Sequence, residues 1–343
     1  MQDTLNIALI GCGGIAQSHW RGIQTIARRL NVTAVVDENS QAARNMADQT
    51  GATAFTDLDR ALESGLFEAV DIMLPHDLHE ATTRACLEAG LHVVLEKPLA
   101  ATLDSAERIL ALATNYPAQV FMVAEQAQYW TDVIEARKLI DQGAIGEVLN
   151  AKAVFYDPMP STEIQDPPFP WRYSLAQAGG GLAIDGGAHW IRPLRMLLGE
   201  VDEVIAQTGR HFKAMEGESW AQAIFIFESG VSALFDAYNA SGPIGPVDWF
   251  RVLGTDGELV LQGGPDAHLV LFDRDNPNGK QIMPSNPGRR DSFGHELADF
   301  SSAVLEGTPL AATAEYALGE LRTALAMYRS MQTRKWEKVW IDN

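Results

Sequence analysis

The chain has 343 residues, long for a single hydrophobic core and suited to two domains of ordinary size. Hydrophobic residues make up 46% and charged residues 21%, and the mean hydropathy is −0.08, which argues against intrinsic disorder and against a membrane protein. A formal charge of −19 repels phosphate backbones and anionic lipid surfaces, so neither nucleic acid nor a membrane is an expected partner.

Two cysteines, Cys12 and Cys86, are too few for a disulfide scaffold and are not spaced as a metal cluster, although one bridge between them stays formally open. Met-Gln-Asp-Thr leads directly into an apolar strand without the basic and apolar regions of an export signal. No apolar run approaches the roughly 18 residues of a membrane span. A cytoplasmic location is expected.

In chain order, an apolar run from Leu5 to Ile10 stops at a glycine cluster and is followed by a helix-compatible stretch, Gln17 to Leu30. Further strands are expected at Val32 to Val36, Ala69 to Leu74, His92 to Leu95 and Gln119 to Ala124, with helices at Ser40 to Thr50, Asp57 to Ser64 and Asp104 to Asn115 between them. Alternating strands and helices make βαβ units around a parallel sheet covered on both faces. Residues 1–124 therefore read as a doubly wound α/β domain of the Rossmann type.

After a helix at Thr131 to Gln142 and a strand at Val148 to Phe155, the hydrophobic period becomes two. Ala221 to Phe227 and Val231 to Phe235 flank Glu228-Ser229-Gly230; Arg251 to Leu253 and Glu258 to Leu261 flank Thr255-Asp256-Gly257. Both read as hairpins, and His268 to Phe272 begins a third that turns at Pro277-Asn278-Gly279. Two helices, near Ser292 to Leu305 and Ala314 to Met331, precede a last strand near Val339. Residues 125–343 are thus expected to form an α+β domain on an open antiparallel sheet. The Pro-rich stretch Asp157 to Trp171 is expected as an irregular, functional loop.

Gly11-Cys12-Gly13-Gly14-Ile15-Ala16 fits the dinucleotide pattern G-x-G-x-x-A with a strand before it, a helix after it and an acid, Asp37, at the end of the next strand. Gly11 permits the sharp turn, Gly13 lets backbone approach the pyrophosphate, and Ala16 lets helix pack on strand. The amides at the helix start, near Gly14 and Ile15, then hold the phosphates. The carboxylate of Asp37 suits the two ribose hydroxyls of NAD, and no Arg or Lys follows to receive the 2′-phosphate of NADP. NAD is the expected cofactor. A simple helix cap before Ser40 is the other role open to Asp37.

Three segments carry a resemblance. Leu91-His92-Val93-Val94-Leu95-Glu96-Lys97-Pro98-Leu99, Pro75-His76-Asp77-Leu78-His79 and Gly179-Gly180-Gly181-Leu182-Ala183-Ile184-Asp185-Gly186-Gly187-Ala188-His189 together resemble the glucose-fructose oxidoreductase / inositol dehydrogenase / rhizopine catabolism (Gfo/Idh/MocA) family. The resemblance extends over nearly the whole chain. It implies a nicotinamide-binding first domain and a second domain whose open sheet makes a homodimer or homotetramer. It also implies oxidation of a secondary alcohol of a sugar or cyclitol, or reduction of the matching ketone.

By the same resemblance Lys97, Asp185 and His189 form the catalytic set. The chemistry is consistent: hydride leaves a carbinol carbon as the hydroxyl proton is removed, an imidazole ordinarily titrates near neutrality, and an ammonium stabilises a developing alkoxide. If the stretch is helical, Asp185 and His189 share a face four residues apart. Glu96 and Pro98 are expected to hold the lysine.

Leu74, Pro75, His76, Gln126 and His79 fall near the family's cofactor contacts, and His79 is equally placed to cap a helix. Trp171 and Arg172 match a pair that closes over cofactor or substrate. Leu74 and His76 depart from the usual Thr and Asn, and Gln128-Tyr129-Trp130-Thr131 departs from the usual Arg-aromatic-x-Pro. Arg192 stands where many members carry Asp, and a guanidinium there suits an anionic substrate, or else pairs with a neighbouring acid. Asp185 with His189, or His76 with His79, has metal-ligand spacing, but no third ligand is evident and no metal is expected. A redox glycosidase using the same transient oxidation, and a dinucleotide-binding regulatory protein without turnover, are the alternative functions.

Overall fold

Five of the six residues of β1 (Leu5–Ile10) are buried, as a central strand covered on both faces requires. The computed structural model describes residues 3–158, 170–263, 268–283 and 288–341. After β1 come α1 (Gly14–Thr25), β2 (Leu30–Val36), α2 (Ser40–Thr50), β3 (Thr53–Phe55), α3 (Leu58–Glu63), β4 (Ala69–Ile72), α4 (His79–Glu88), β5 (His92–Glu96), α5 (Leu103–Thr114) and β6 (Phe121–Ala124). The six strands are all parallel in the order β3-β2-β1-β4-β5-β6, so the chain reverses direction across the sheet between β1 and β4. Ligands of open α/β sheets bind at the carboxyl ends beside such a reversal. Short local signals bound the helices: Asn39 caps α2 through Gln41 N and Ala42 N, and Gly51 ends it in the left-handed conformation.

A second compact unit comprises Trp130–Arg289 and Gly319–Asn343. It holds α6 (Thr131–Asp141), β7 (Val148–Pro158), α7 (Leu175–Ala178), α8 (Ala188–Leu198), β8 (Val201–Gly209), β9 (Trp220–Phe227), β10 (Ser232–Ala240), β11 (Asp248–Gly254), β12 (Gly257–Gln262), β13 (Leu269–Asp273) and β14 (Lys280–Met283). α9 (Gly288–Glu306), α10 (Leu318–Thr333) and β15 (Glu337–Lys338) complete the chain. The sheet order is β14-β13-β12-β11-β7-β10-β9-β8-β15. The three expected hairpins are present as β9-β10, β11-β12 and β13-β14. The sheet is mixed, however, because β7 pairs antiparallel with β11 and parallel with β10. A parallel neighbour needs a long crossover, which the chain from α7 through β9 supplies. Of the Pro-rich stretch, residues 159–169 lie outside the described residues, and Pro170–Tyr173 form a 3-10 turn.

α9 returns to the first unit, which comprises Met1–Tyr129 and Arg290–Leu318. Its Leu297 and Phe300 are fully buried in the core formed by Leu5, Ile7, Leu9, Val35 and Val94. Gly22 of α1 makes the approach possible: a Cβ there would lie 2.7 Å from the amide nitrogen of Gly294. Among the described residues no helix is long and apolar enough to cross a membrane, and both cysteines are free.

Candidate active site

The turn after β1 is built for backbone. Gly11 has φ +93, a Cβ on it would meet the Met73 carbonyl oxygen at 2.3 Å, and its amide donates to Val36 O at 2.8 Å. Gly13 and Gly14 are exposed at the start of α1, whose first turn carries no acid and no side-chain cap. Those amides and the helix dipole suit a pyrophosphate. Ile15 is half-buried and Ala16 fully buried against the sheet.

Asp37, half-buried at the end of β2, accepts Cys12 N on Oδ2 and Asn39 N on Oδ1, both at 2.8 Å. Asn39, not Asp37, caps α2, so the Asp37 carboxylate is fixed by the loop that follows β1 and keeps acceptor capacity for a diol. Burial, then the neighbouring Asp37 charge, pushes the Cys12 thiol up to about 12.

Near the ends of β4 and β5 lie three buried histidines, His19, His76 and His79. His79 sets Nδ1 3.0 Å from Pro98 O and Nε2 3.0 Å from Leu74 O, and burial lowers its pKa. It therefore ties the Leu74-Pro75 loop to the residue after Lys97. His76 is buried with its ring centroid 5.6 Å from that of His79. His19 of α1, which sequence reasoning missed, sets Nε2 2.9 Å from Glu96 Oε1 and Nδ1 2.7 Å from Asp71 Oδ2. Lys97 is half-buried between these two anchors, and its amide donates to Ala124 O at 3.1 Å. Gln126 follows β6 and accepts from the Ser292 hydroxyl at 2.5 Å.

In the second unit the glycine block wraps around Glu218, a second residue the sequence does not announce. The Glu218 carboxylate accepts Gly181 N at 2.9 Å, Ala183 N at 2.8 Å and the Tyr328 hydroxyl at 2.8 Å, while its backbone carbonyl accepts Leu182 N. Asp185 lies in the turn that follows, and α8 starts only at Ala188, so Asp185 and His189 do not share one helix. Asp185 instead forms an ion pair with Arg172, whose guanidinium sits 4.6 Å from the Trp171 ring centroid. Asp185, His189, Trp171 and Arg172 are all half-buried.

Arg192 is turned the other way. Its buried guanidinium donates to Glu320 of α10 through Nε at 2.7 Å and Nη2 at 3.0 Å. The group considered for reading a substrate anion is taken up by an internal carboxylate that it shares with Arg195. Beside His189, Trp190 stacks on Phe155 at 4.1 Å and meets Trp130 and Trp249 edge-on, which anchors the first turn of α8.

The β1 turn, the bare α1 amides and Asp37 fit a dinucleotide by geometry. The first part of the chain, residues 5–124, matches the model of an oxidoreductase family with an NAD-binding Rossmann fold, and residues 133–260 match the GFO/IDH/MocA C-terminal domain. The chain is 30% identical over 315 residues to a dTDP-3,4-didehydro-2,6-dideoxy-alpha-D-glucose 3-reductase of Streptomyces violaceoruber, covering 88% of this chain and 85% of that protein. It is 30% identical over 256 residues to a levoglucosan dehydrogenase of Pseudarthrobacter phenanthrenivorans, covering 72% and 62% respectively. A crystal structure of an NAD-binding oxidoreductase from Klebsiella pneumoniae aligns with a TM-score of 0.84 at 26% identity, covering 99% of this chain and 100% of that one.

Proposed function

Because the chain belongs to the GFO/IDH/MocA oxidoreductase family, we propose that it is an NAD-dependent dehydrogenase of a sugar, a sugar derivative or a cyclitol. It oxidises one secondary hydroxyl or reduces the matching ketone. Bound at the β1 turn, NAD would supply the hydride-accepting chemistry. Asp37 orients the adenosine ribose, and the amides of the β1 turn and of α1 hold the pyrophosphate. His189 takes the hydroxyl proton, a step for which a positioned base supplies about 10²–10⁴-fold. Lys97 supports the oxygen as charge develops on it. Asp185, oriented by Arg172, binds the hydroxyls or sets the imidazole.

The observation that carries this reading is the Glu96-Lys97-Pro98 segment at the carboxyl end of β5, in the same sheet as the β1 turn and Asp37. It is tested by following NADH formation with purified protein over neutral sugars, cyclitols, uronates, anhydrosugars and glycosides. Net NADH from a free hydroxyl supports the dehydrogenase. Glycosidic cleavage with catalytic NAD and no net NADH identifies a redox glycosidase, and NAD binding without turnover across the panel identifies a regulatory protein.

We further propose that the protein works in the cytoplasm as a homodimer or homotetramer through the outer face of the second-unit sheet. Leu234 and Ile224, directly paired across β9 and β10, are 50% and 38% exposed, and Lys152 and Leu253 extend the same face. Paired exposed aliphatics mark an interaction surface. Sedimentation of wild type against Leu234→Glu tests it: a variant as large as wild type excludes the interface.

A further inference from the structure

The densest group of ionisable side chains in the first unit lies inside the protein, under the strand end that carries Lys97. His19 of α1, Asp71 of β4, Glu125 just after β6 and Glu296 of α9 are all 2% exposed or less, and Glu96 of β5 is 7% exposed. Three carboxyl groups, of Asp71, Glu96 and Glu296, thus face one imidazole, with Glu125 acting on Glu296 and the Phe293 ring 5.5 Å from the imidazole. Both ring nitrogens face carboxylate oxygens, Asp71 at 2.7 Å and Glu96 at 2.9 Å, so a neutral ring would set a lone pair against one of them. An imidazolium donates to both. Glu296 approaches the ring only to 3.7 Å, and neither of its carboxyl oxygens has a hydrogen-bond partner. Ionised, it would be a buried anion among three others with nothing donated to it; neutral, it costs far less.

We propose that His19, as an imidazolium, and Glu296, as a neutral carboxyl, are positioning residues for Lys97. The ring locks the Glu96 side chain to the neighbouring strand, and Glu296 closes the cluster from α9 without adding charge. His79 holds the other side of the lysine through Pro98 O, so Lys97 stands between two anchored residues. The energetics agree. Burial would lower the His19 pKa, but the Asp71 and Glu96 carboxylates override it and hold it well above the usual imidazole range. Burial, reinforced by Glu96, Glu125 and Asp71 against the opposing pull of His19, holds Glu296 well above the usual carboxyl range.

This rests on Lys97 acting on the substrate oxygen, and a double-mutant cycle separates the two readings. With the best alcohol of the panel, Lys97→Ala is expected to lower kcat by about 10²–10³-fold. His19→Ala should lower kcat by roughly 10- to 100-fold, as a misplaced group does, with KM for NAD and alcohol unchanged. The double variant should be no slower than Lys97→Ala alone, since His19 acts only through the lysine. Multiplicative losses would overturn the inference and leave the Lys97 role standing; an active Lys97→Ala would overturn both.

Should His19→Ala fail to fold, Glu296→Gln decides. A neutral Glu296 predicts a melting temperature close to wild type at about pH 4, where the unfolded carboxyl is also protonated, and an advantage of the variant that grows as pH rises toward about 7, because wild type alone loses stability as its unfolded carboxyl ionises. A difference in melting temperature that does not change with pH, or one that turns against the variant as pH rises, would mean that Glu296 is ionised in the native state and overturns the proposal. One nitrogen of His19 and oxygens of Glu96 and Glu296 lie within 4.8 Å of one another, a spacing that also suits a divalent cation. Elemental analysis of the purified chain should find no stoichiometric metal, and one equivalent removed by chelator together with stability would replace the imidazolium with an ion.

Discussion

Arg192 and Glu320 meet in two parallel hydrogen bonds, Nε to Oε1 at 2.7 Å and Nη2 to Oε2 at 3.0 Å, with both side chains buried. Fork-to-fork pairs of this kind are strong but, once buried, cannot be broken from one side without leaving an uncompensated charge. Arg192→Ala is therefore expected to cost about 3 kcal/mol in urea unfolding, the lower end of the range for such pairs because Arg195 still faces Glu320. The order of preference among alcohols should not change. A variant of normal stability that has lost acidic substrates alone would restore the anion-reading role.

Asp37 carries a prediction about cofactor binding. Its oxygens already accept the amides of Cys12 and Asn39, so the carboxylate is oriented before the ribose arrives. Loss of charged hydrogen bonds worth about 1.5–3 kcal/mol predicts that Asp37→Ala weakens NADH about 10- to 100-fold in a fluorescence titration. Affinity for NADPH should fall less, because the charge that repels a 2′-phosphate is gone. Equal losses for both cofactors would point to collapse of the β1 turn instead.

Features carried by neighbours in sequence were readable before the structure; features carried by distant partners were not. The β1 turn, the Glu96-Lys97-Pro98 segment and the three hairpins each lie within a few residues of chain, where turn chemistry and hydrophobic period act directly. β8 was invisible because Asp202, Glu203 and Gln207 interrupt its alternation, and its place is decided by pairing with β9. That α9 packs on α1 depends on Gly22 meeting Gly294, which no local pattern announces. His19 reads as an ordinary residue on an amphipathic helix because its partners are 52 and 77 residues away. Arg192 was ambiguous for the same reason, as Glu320 is 128 residues on.

His79 and His19 should oppose each other as pH changes. Burial depresses the His79 pKa, so the unfolded chain takes up that proton first: the stability His79 contributes is present above its unfolded pKa and is lost as pH falls through the folded value. The raised His19 pKa has the opposite sign, with stability present below the unfolded pKa and lost as pH rises through the folded one. Replacing His79 by Phe removes a donor to the Leu74 or Pro98 carbonyl, at a cost of about 1–3 kcal/mol near neutrality. The penalty should shrink toward pH 5. Urea titrations at several pH values check this, and a penalty that grows on acidification would mean that His79 is charged in the native state.

Glu218 connects the glycine block to the imidazole by a traceable route. Its carboxylate holds Gly181 N and Ala183 N, Gly181 O accepts Asp185 N at 3.2 Å, and Gly186 O accepts His189 N at 3.2 Å. Burial raises the Glu218 pKa, so its contribution to stability is present below the unfolded carboxyl pKa and declines as pH rises through the folded value. Glu218→Gln abolishes that decline but leaves an amide nitrogen against donors, costing about 1–3 kcal/mol. If the turn sets His189, the same variant should lower kcat while NADH binding, which uses the first unit, stays at the wild-type level. Stopped-flow turnover with a parallel NADH titration separates the two, and unchanged kcat in a visibly destabilised variant would confine Glu218 to holding the fold.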